Sequence, residues 1–373
     1  MRKRFLRRAA KRRRRNIFIS GTILILAAVC VFSAKVSGRT DSSDVQEINI
    51  DACNEAYMDL QKEQWDPLGE TVPTASADKK TKAASEEKNK KDGADAGEKP
   101  YPEKWNESPD TEIIRTTLSG YSGRKFITLE NGGQVANHTS VSNSELLEES
   151  TLKPAFKISV NEKPQVLIMH THTTETYEPY VRESFDPTFN YRTTDSEKNV
   201  TAVGEAIAEK LRAAGIVTIH DETVHDYPSY TGAYERSADT VRAILQENPS
   251  IKVVLDIHRD AIGTDTSITQ PIAEIDGKEA AQVMIISGCD DGTMDMPDYM
   301  FNFRFACRLQ EQMESMYPGL TRPVLFDYRR YNQDITTGSL LIEVGSHGNT
   351  LEQAMYSGSL IGDALTEVLL ALH

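Results

Sequence analysis

Cysteine is nearly absent: the chain of 373 residues has four, Cys30, Cys53, Cys289 and Cys307, and no two are spaced as CxxC. That excludes a disulfide framework and a thiolate zinc site, and leaves each cysteine as an isolated small residue. Also missing are the GxSxG elbow, the GxxxxGKS/T loop, the HExxH helix and an EF-hand loop. Serine-hydrolase, P-loop, zincin and calcium-module chemistries therefore lack their minimal motifs. An unbalanced positive charge is confined to one end. Residues 1–15 carry ten Lys and Arg and no acid, while the whole chain has a net charge of −14. The residues after them are acidic in net charge, which argues against a nucleic-acid partner.

Directly after the basic end comes an apolar run, IFISGTILILAAVCVFSA at 17–34, with no charged residue. As a helix it would be about 27 Å long, enough for a bilayer core. Cations before it and few after it predict a cytoplasmic tail (1–16), a single transmembrane anchor (17–34) and a remainder outside the cell membrane. A cleaved secretory signal also begins basic and apolar, but FSAKVSG is a poor cleavage site. Either alternative exports the rest. From 35 to 110 the chain is poor in branched aliphatics and rich in mixed charge, as in ADKKTKAASEEKNKKDGADAGEKPYPEK. Such a run buries too little apolar surface to offset its ordering entropy and reads as a disordered linker. Residues 111–162 hold short β-prone pieces and the helix-like SELLEES, and read as a small lead-in subdomain.

From 163 to 373 the rhythm changes. VLIM (166–169), IVTI (216–219), KVVLDI (252–257), QVMIIS (282–287), PVLF (323–326) and LLIEV (340–344) are near-continuous Val, Ile and Leu. Strands covered on both faces require that pattern. Between them lie helical stretches at 199–214, 234–247, 299–316 and 350–372; in the first, Val200, Val203, Ile207 and Leu211 share one face and Gly215 ends it. The alternation predicts an α/β fold, an open doubly wound, mostly parallel sheet with helices on both faces. In such sheets chemistry collects at the carboxyl ends of strands.

Three strands run into polar groups there. VLIM is followed by His170-Thr171-His172-Thr173-Thr174-Glu175, VVLDI by His258-Arg259-Asp260, and LLI by Glu343-Val344-Gly345-Ser346-His347. Two histidines and a carboxylate with one position open are a usual catalytic zinc set. A short loop offers both members of H-x-x-E to one ion, so His172 and Glu175, with His258 from another strand, are the expected ligands. His170 shares a strand face with His172 and competes for that role. Glu343, a lone carboxylate after three aliphatics, suits a general base, since an unpaired acid in a core costs several kcal/mol; a structural ion pair with Arg259 is the plainer alternative. Asp256 reads either as a partner of His258 or as a strand-end carboxylate, and His347 as a leaving-group contact or a loop residue. His138, His220, His225 and His373 carry no spacing signal and read as surface positions.

VLIMHTHTTETY, NVTAVGEAIAEKLRAAGI, VVLDIHRDAI and LLIEVGSHGNTLEQA, in that order, closely resemble the stage II sporulation protein P family over roughly 111–373. The resemblance implies a membrane-anchored cell-wall hydrolase of spore formation, with a catalytic domain similar to the zinc-dependent N-acetylmuramoyl-L-alanine amidases. It also implies peptidoglycan as substrate, cleavage of the amide between the lactyl group and the stem-peptide L-alanine, and an added endopeptidase activity on cross-links. Stage II sporulation protein D, a lytic transglycosylase, and protein M are the implied partners, and septal thinning and engulfment the implied process. Related amidases take a glutamate ligand from the start of the first helix, where this chain has Glu197, so Glu197 competes with Glu175.

The mechanism expected from these residues has Glu343 accept a proton from water and return it to the leaving nitrogen, with Arg259 stabilising the oxyanion. Two rivals are a wall-binding scaffold that recruits a transglycosylase without cutting bonds, and a metallocarboxypeptidase.

Overall fold

The computed structural model describes residues 99 to 373. The expected tail, anchor and linker up to residue 98 lie outside the described residues. Among the described residues no helix is long and apolar enough to cross a membrane.

In chain order the elements are β1 (Glu112–Thr116), β2 (Phe126–Thr128), β3 (Gln134–Asn137), α1 (Asn143–Ser150), β4 (Val166–Met169), α2 (Val200–Ala213), β5 (Thr218–His220), α3 (Ala233–Glu247), β6 (Val253–Asp260), β7 (Ser267–Ile275), β8 (Lys278–Ala281), β9 (Val283–Gly288), α4 (Tyr299–Met316), β10 (Val324–Asp327), β11 (Ser339–Ser346) and α5 (Leu351–Leu370). Eight strands form one sheet in the order β2-β3-β10-β9-β11-β6-β4-β5, and β1-β7-β8 form a second. Within the large sheet β11, β6, β4 and β5 run parallel, so their carboxyl ends share one edge. β9 turns against β11, and β10 and β3 run parallel to β9. The sheet is α/β and mixed: β11, β6, β4 and β5 run one way, β9, β10 and β3 the other, and the edge strand β2 is antiparallel to β3.

Helices cover both faces, which is why the strands read as unbroken apolar runs. Val166, Ile168, Val253, Leu255 and Ile257 pack with α2, α4 and α5. Leu167, Met169 and Val254 face the other way, onto Val241, Ile244 and Leu245 of α3. The stripe Val200, Val203, Ile207 and Leu211 is fully buried, as its spacing requires. Asn199 caps that helix by accepting from the Thr201 N–H, and Gly215, at φ +79, follows its end. A capping box of Thr350 and Gln353 starts α5.

Residues 111–162 are woven into the same body. β2 and β3 extend the large sheet through β10, β1 pairs in parallel with β7, and α1 packs on α4. β7 and β8, absent from the expected strands, are a hairpin turning at Asp276 and Gly277, both at positive φ. Asp-Gly is the usual signal for that turn, but Pro271 inside the first strand argues against a strand. The stretch from Lys99 to Asp110, assigned above to the linker, lies on the domain. Thr193 Oγ1 donates to the Lys99 carbonyl at 2.9 Å, Tyr101 Oη to that of Tyr177 at 3.2 Å, and Asp186 Oδ2 accepts from the Asn106 N–H at 2.8 Å. Tyr101 and Trp105 pack edge-on against Phe189, supplying the apolar surface that the charged run before them lacks.

Candidate metal centre

β4 ends at Met169, and the chain turns at once, the Glu175 N–H donating to the His172 carbonyl at 3.0 Å. That turn aims His172 and Glu175 at β6, where His258 sits inside the strand and Glu343 lies beside it in register on β11. His172 Nδ1 is 3.7 Å from Glu175 Oε1, and His258 Nδ1 is 3.5 Å from Glu175 Oε2. One ligand atom from each of the three lies within 4.8 Å of the others, and all three residues are buried. His172 Nδ1 has no hydrogen-bond partner. A buried polar atom left unpaired costs about 1–3 kcal/mol unless something else engages it, and two imidazoles with a carboxylate are a fitting set for a divalent ion such as zinc. The residues could hold such an ion.

Neighbours hold these groups in place. Asp256 Oδ1 lies 2.8 Å from His258 Nε2, in a contact bent away from a linear hydrogen bond. Asp256 itself accepts from Thr171 N–H and Oγ1 at 2.8 and 2.7 Å. A carboxylate behind a histidine is the arrangement that orients metal-binding imidazoles. Burial pushes His172 down to about 3, with the Glu175 carboxylate opposing it, so the ring is neutral and its lone pair available. Burial would lower His258 too, but the Asp256 charge, then Glu175, outweighs it and raises His258 well above the usual histidine range. For Glu175, burial acts to raise the carboxyl and is overcome by the Arg259 charge and the His258 contact, which hold it far down. Glu343 is shifted the other way: burial first, then the Asp260 carboxylate, push it well above the usual carboxylate range, and its Oε2 has no partner.

A sequence profile of the family Stage II sporulation protein P (SpoIIP) matches residues 41–366. The chain belongs to this family. Stage II sporulation protein P of Bacillus subtilis (strain 168) is 29% identical over 245 residues, covering 62% of this chain and 58% of that relative, less than two thirds of its length. Among solved structures, the N-acetylmuramoyl-L-alanine amidase AmiC2 of Nostoc punctiforme aligns at 11% identity and a TM-score of 0.33, over 56% of this chain and 96% of its own. The CwlD amidase from Clostridioides difficile, solved with the GerS lipoprotein, aligns at 13% and 0.32, over 56% and 98%. At such TM-scores neither likeness carries an argument about this member of the SpoIIP family.

Other residues singled out from the sequence go elsewhere. His170 turns away from His172, because the strand ends before it and alternation no longer applies: its Nδ1 lies 3.0 Å from the Ile257 carbonyl and its Nε2 2.9 Å from His220 Nε2. Gly204 makes room for that pair, since a Cβ there would lie 2.7 Å from the His170 ring. Glu197 is exposed in the turn before α2 and stands outside the ligand group. Arg259 is buried with its donors spent on backbone carbonyls, Nε on Thr176 at 2.9 Å, Nη1 on Asp260 and Nη2 on Tyr191 at 3.2 Å each. Among the described residues it forms no ion pair with Glu343, and three of its five side-chain N–H groups are taken by these carbonyls. His225, expected at the surface, is buried, bonded to the His170 carbonyl at 2.9 Å and Thr240 Oγ1 at 3.0 Å. His347 packs edge-on against Tyr191.

Sequence reasoning missed the wall opposite β6. Tyr230 stacks on the His172 ring at 4.5 Å, Tyr234 meets it edge-on at 5.5 Å, and Tyr331 stacks on Tyr234 at 5.1 Å. Arg192 completes it, with Nη1 2.6 Å from Asp226 Oδ2. The run YPSYTGAY, three tyrosines in a stretch without apolar periodicity, was the available signal.

Proposed function

We propose that this chain is a zinc-dependent peptidoglycan hydrolase of sporulation, cleaving the amide between the muramic acid lactyl group and the stem-peptide L-alanine, with a second activity on peptide cross-links. The observation that carries the reading is the juxtaposition of a His172, Glu175, His258 ligand group with Glu343, a buried carboxyl with a free oxygen one strand away. Membership of the SpoIIP family supports the sporulation setting. Zinc bound by these three residues would supply Lewis acidity and lower the pKa of a water from 15.7 to about 7. Glu343, in its ionised form, accepts a proton from the attacking water and delivers it to the nitrogen as the C–N bond breaks. Asp256 keeps His258 turned toward the ligand group while this happens. In the same reading the apolar run at 17–34 anchors the chain in the cell membrane with the domain outside, and stage II sporulation proteins D and M are its partners.

Mass spectrometry of muropeptides released from purified peptidoglycan by the full chain in detergent tests this. Expected products are stem peptides beginning with L-alanine and glycans bearing free lactyl carboxylates, lost on chelation and restored by Zn²⁺. Released single amino acids would instead indicate a metallocarboxypeptidase, and intact wall a scaffold.

A further inference from the structure

Hydrolysis of an amide places negative charge on the carbonyl oxygen as water adds, and a donor aimed at that oxygen accelerates the step. Arg259 is buried and spends three of its five side-chain N–H groups on backbone carbonyls. A second guanidinium lies on the open side. Arg192 is held at Nη1 by Asp226 Oδ2 at 2.6 Å and reaches Thr174 Oγ1 at 3.3 Å. Its charge centre lies 4.8 Å from the centroid of the Tyr230 ring, the ring that stacks on His172. Nη2 is 3.7 Å from Glu175 Oε1, beyond hydrogen-bond length, and neither Nη2 nor Nε donates to any described residue. The side chain is 24% exposed, unlike the nearly closed ligands.

The backbone is arranged to deliver it. Arg192 pairs with Glu175 in an isolated antiparallel bridge, and Tyr191 just before it stands at φ 53, a region that L residues other than glycine rarely enter. Thr176 N–H donates to the Tyr191 carbonyl at 3.0 Å, locking the bend.

Resting on the hydrolase reading above, we propose that Arg192 is a catalytic residue, the donor that meets the carbonyl oxygen of the scissile amide. As the water oxygen bonds to the carbonyl carbon, the C=O electron pair moves onto oxygen, where the Arg192 N–H groups receive it. The pair returns as the C–N bond breaks, and Glu343 delivers the proton to nitrogen. Asp226 is a positioning residue that fixes the plane of the guanidinium.

The test compares the full-length wild type with Arg192→Ala and Arg192→Lys on purified peptidoglycan, alongside competitive titration of Zn²⁺. Arg192→Ala should lower kcat about 10²-fold or more with KM little changed. Guanidinium chloride should restore part of that rate, and sodium chloride at equal ionic strength none. Metal affinity should hold, whereas a residue acting only as the counter-ion of Glu175 would cost about 10- to 100-fold in affinity. If rate and metal affinity fall together and excess Zn²⁺ restores the rate, the proposal is overturned. An unchanged kcat in an active protein overturns it equally. A wild type that leaves the wall intact defeats the hydrolase reading itself and takes this proposal with it. Should Arg192→Ala fail to fold, Arg192→Lys decides, since it keeps the charge and loses the planar fork; wild-type kcat in that variant would overturn the assignment.

Discussion

A carboxyl buried beside other carboxylates resists ionisation, and Glu343 has Asp260 and Glu175 acting on it in addition to burial. The folded protein therefore keeps the Glu343 proton over a pH window in which the unfolded chain has released it. Stability from this group is present at low pH and is lost as pH rises through that window. Glu343→Gln removes the dependence, so in metal-free protein the urea midpoint of the variant should gain on wild type between about pH 5 and 8. An unchanged gap would mean that Glu343 ionises normally. The same variant should lose about 10²- to 10⁴-fold in turnover while retaining Zn²⁺. Glu343 and His258 were legible in the sequence because each interrupts an apolar strand, where an unpaired polar group is expensive, and His172 and Glu175 because they form an H-x-x-E in the loop after one. Arg192 was not, because loop residues reach the site only through long-range pairing with Glu175 and a bend at Tyr191 that no local pattern announces. Strand alternation put His170 beside His172, and it failed because alternation stops where β4 stops.

At the level of elements, the helices from 163 onward were legible almost to their ends, since the stripe on α2 and the caps at Asn199 and Thr350 are local signals. How tightly α2 and α5 cross was not. A Cβ at Gly358 would lie 2.8 Å from the Val203 carbonyl oxygen, and one at Gly362 2.7 Å from Lys210 Cβ. Gly358→Val forces the helices apart and should cost about 1–3 kcal/mol, read as a lower urea midpoint at unchanged slope. Wild-type stability would show that the crossing has slack. The strap from Lys99 to Asn106 is another element that composition hid, because two aromatics in a charged run decide it. Trp105 packs against Phe189 with ring centroids 4.6 Å apart, and the Arg182 guanidinium lies 5.1 Å from the Trp105 ring. Trp105→Ala should free the loop between Tyr177 and Thr193, so brief trypsin treatment should cut after Arg182 or Arg192 well before it cuts wild type. Equal digestion would mean that the strap holds nothing.

For the whole molecule, the reversal of the sheet at β9 and β11 decides where a site can form. β11, β6 and β4 are adjacent parallel strands whose carboxyl ends share one edge, and these bring His172, His258 and Glu343 together from distant parts of the chain. Such a ligand group does not exist in the unfolded chain, so an ion that binds it favours the folded state, by about 2.7 kcal/mol at a hundredfold excess over Kd. Zn²⁺ should raise the thermal midpoint of wild type, and His172→Ala or His258→Ala should abolish the rise. The sign of its pH dependence follows from His258, which Asp256 and Glu175 keep protonated in the absence of metal. A ligating imidazole must shed that proton, so binding releases it to solvent and affinity climbs with pH. The shift produced by a fixed Zn²⁺ concentration should therefore be larger at about pH 8 than at about pH 6. A shift that is equal at both, or larger at the lower pH, would place the ion away from His258.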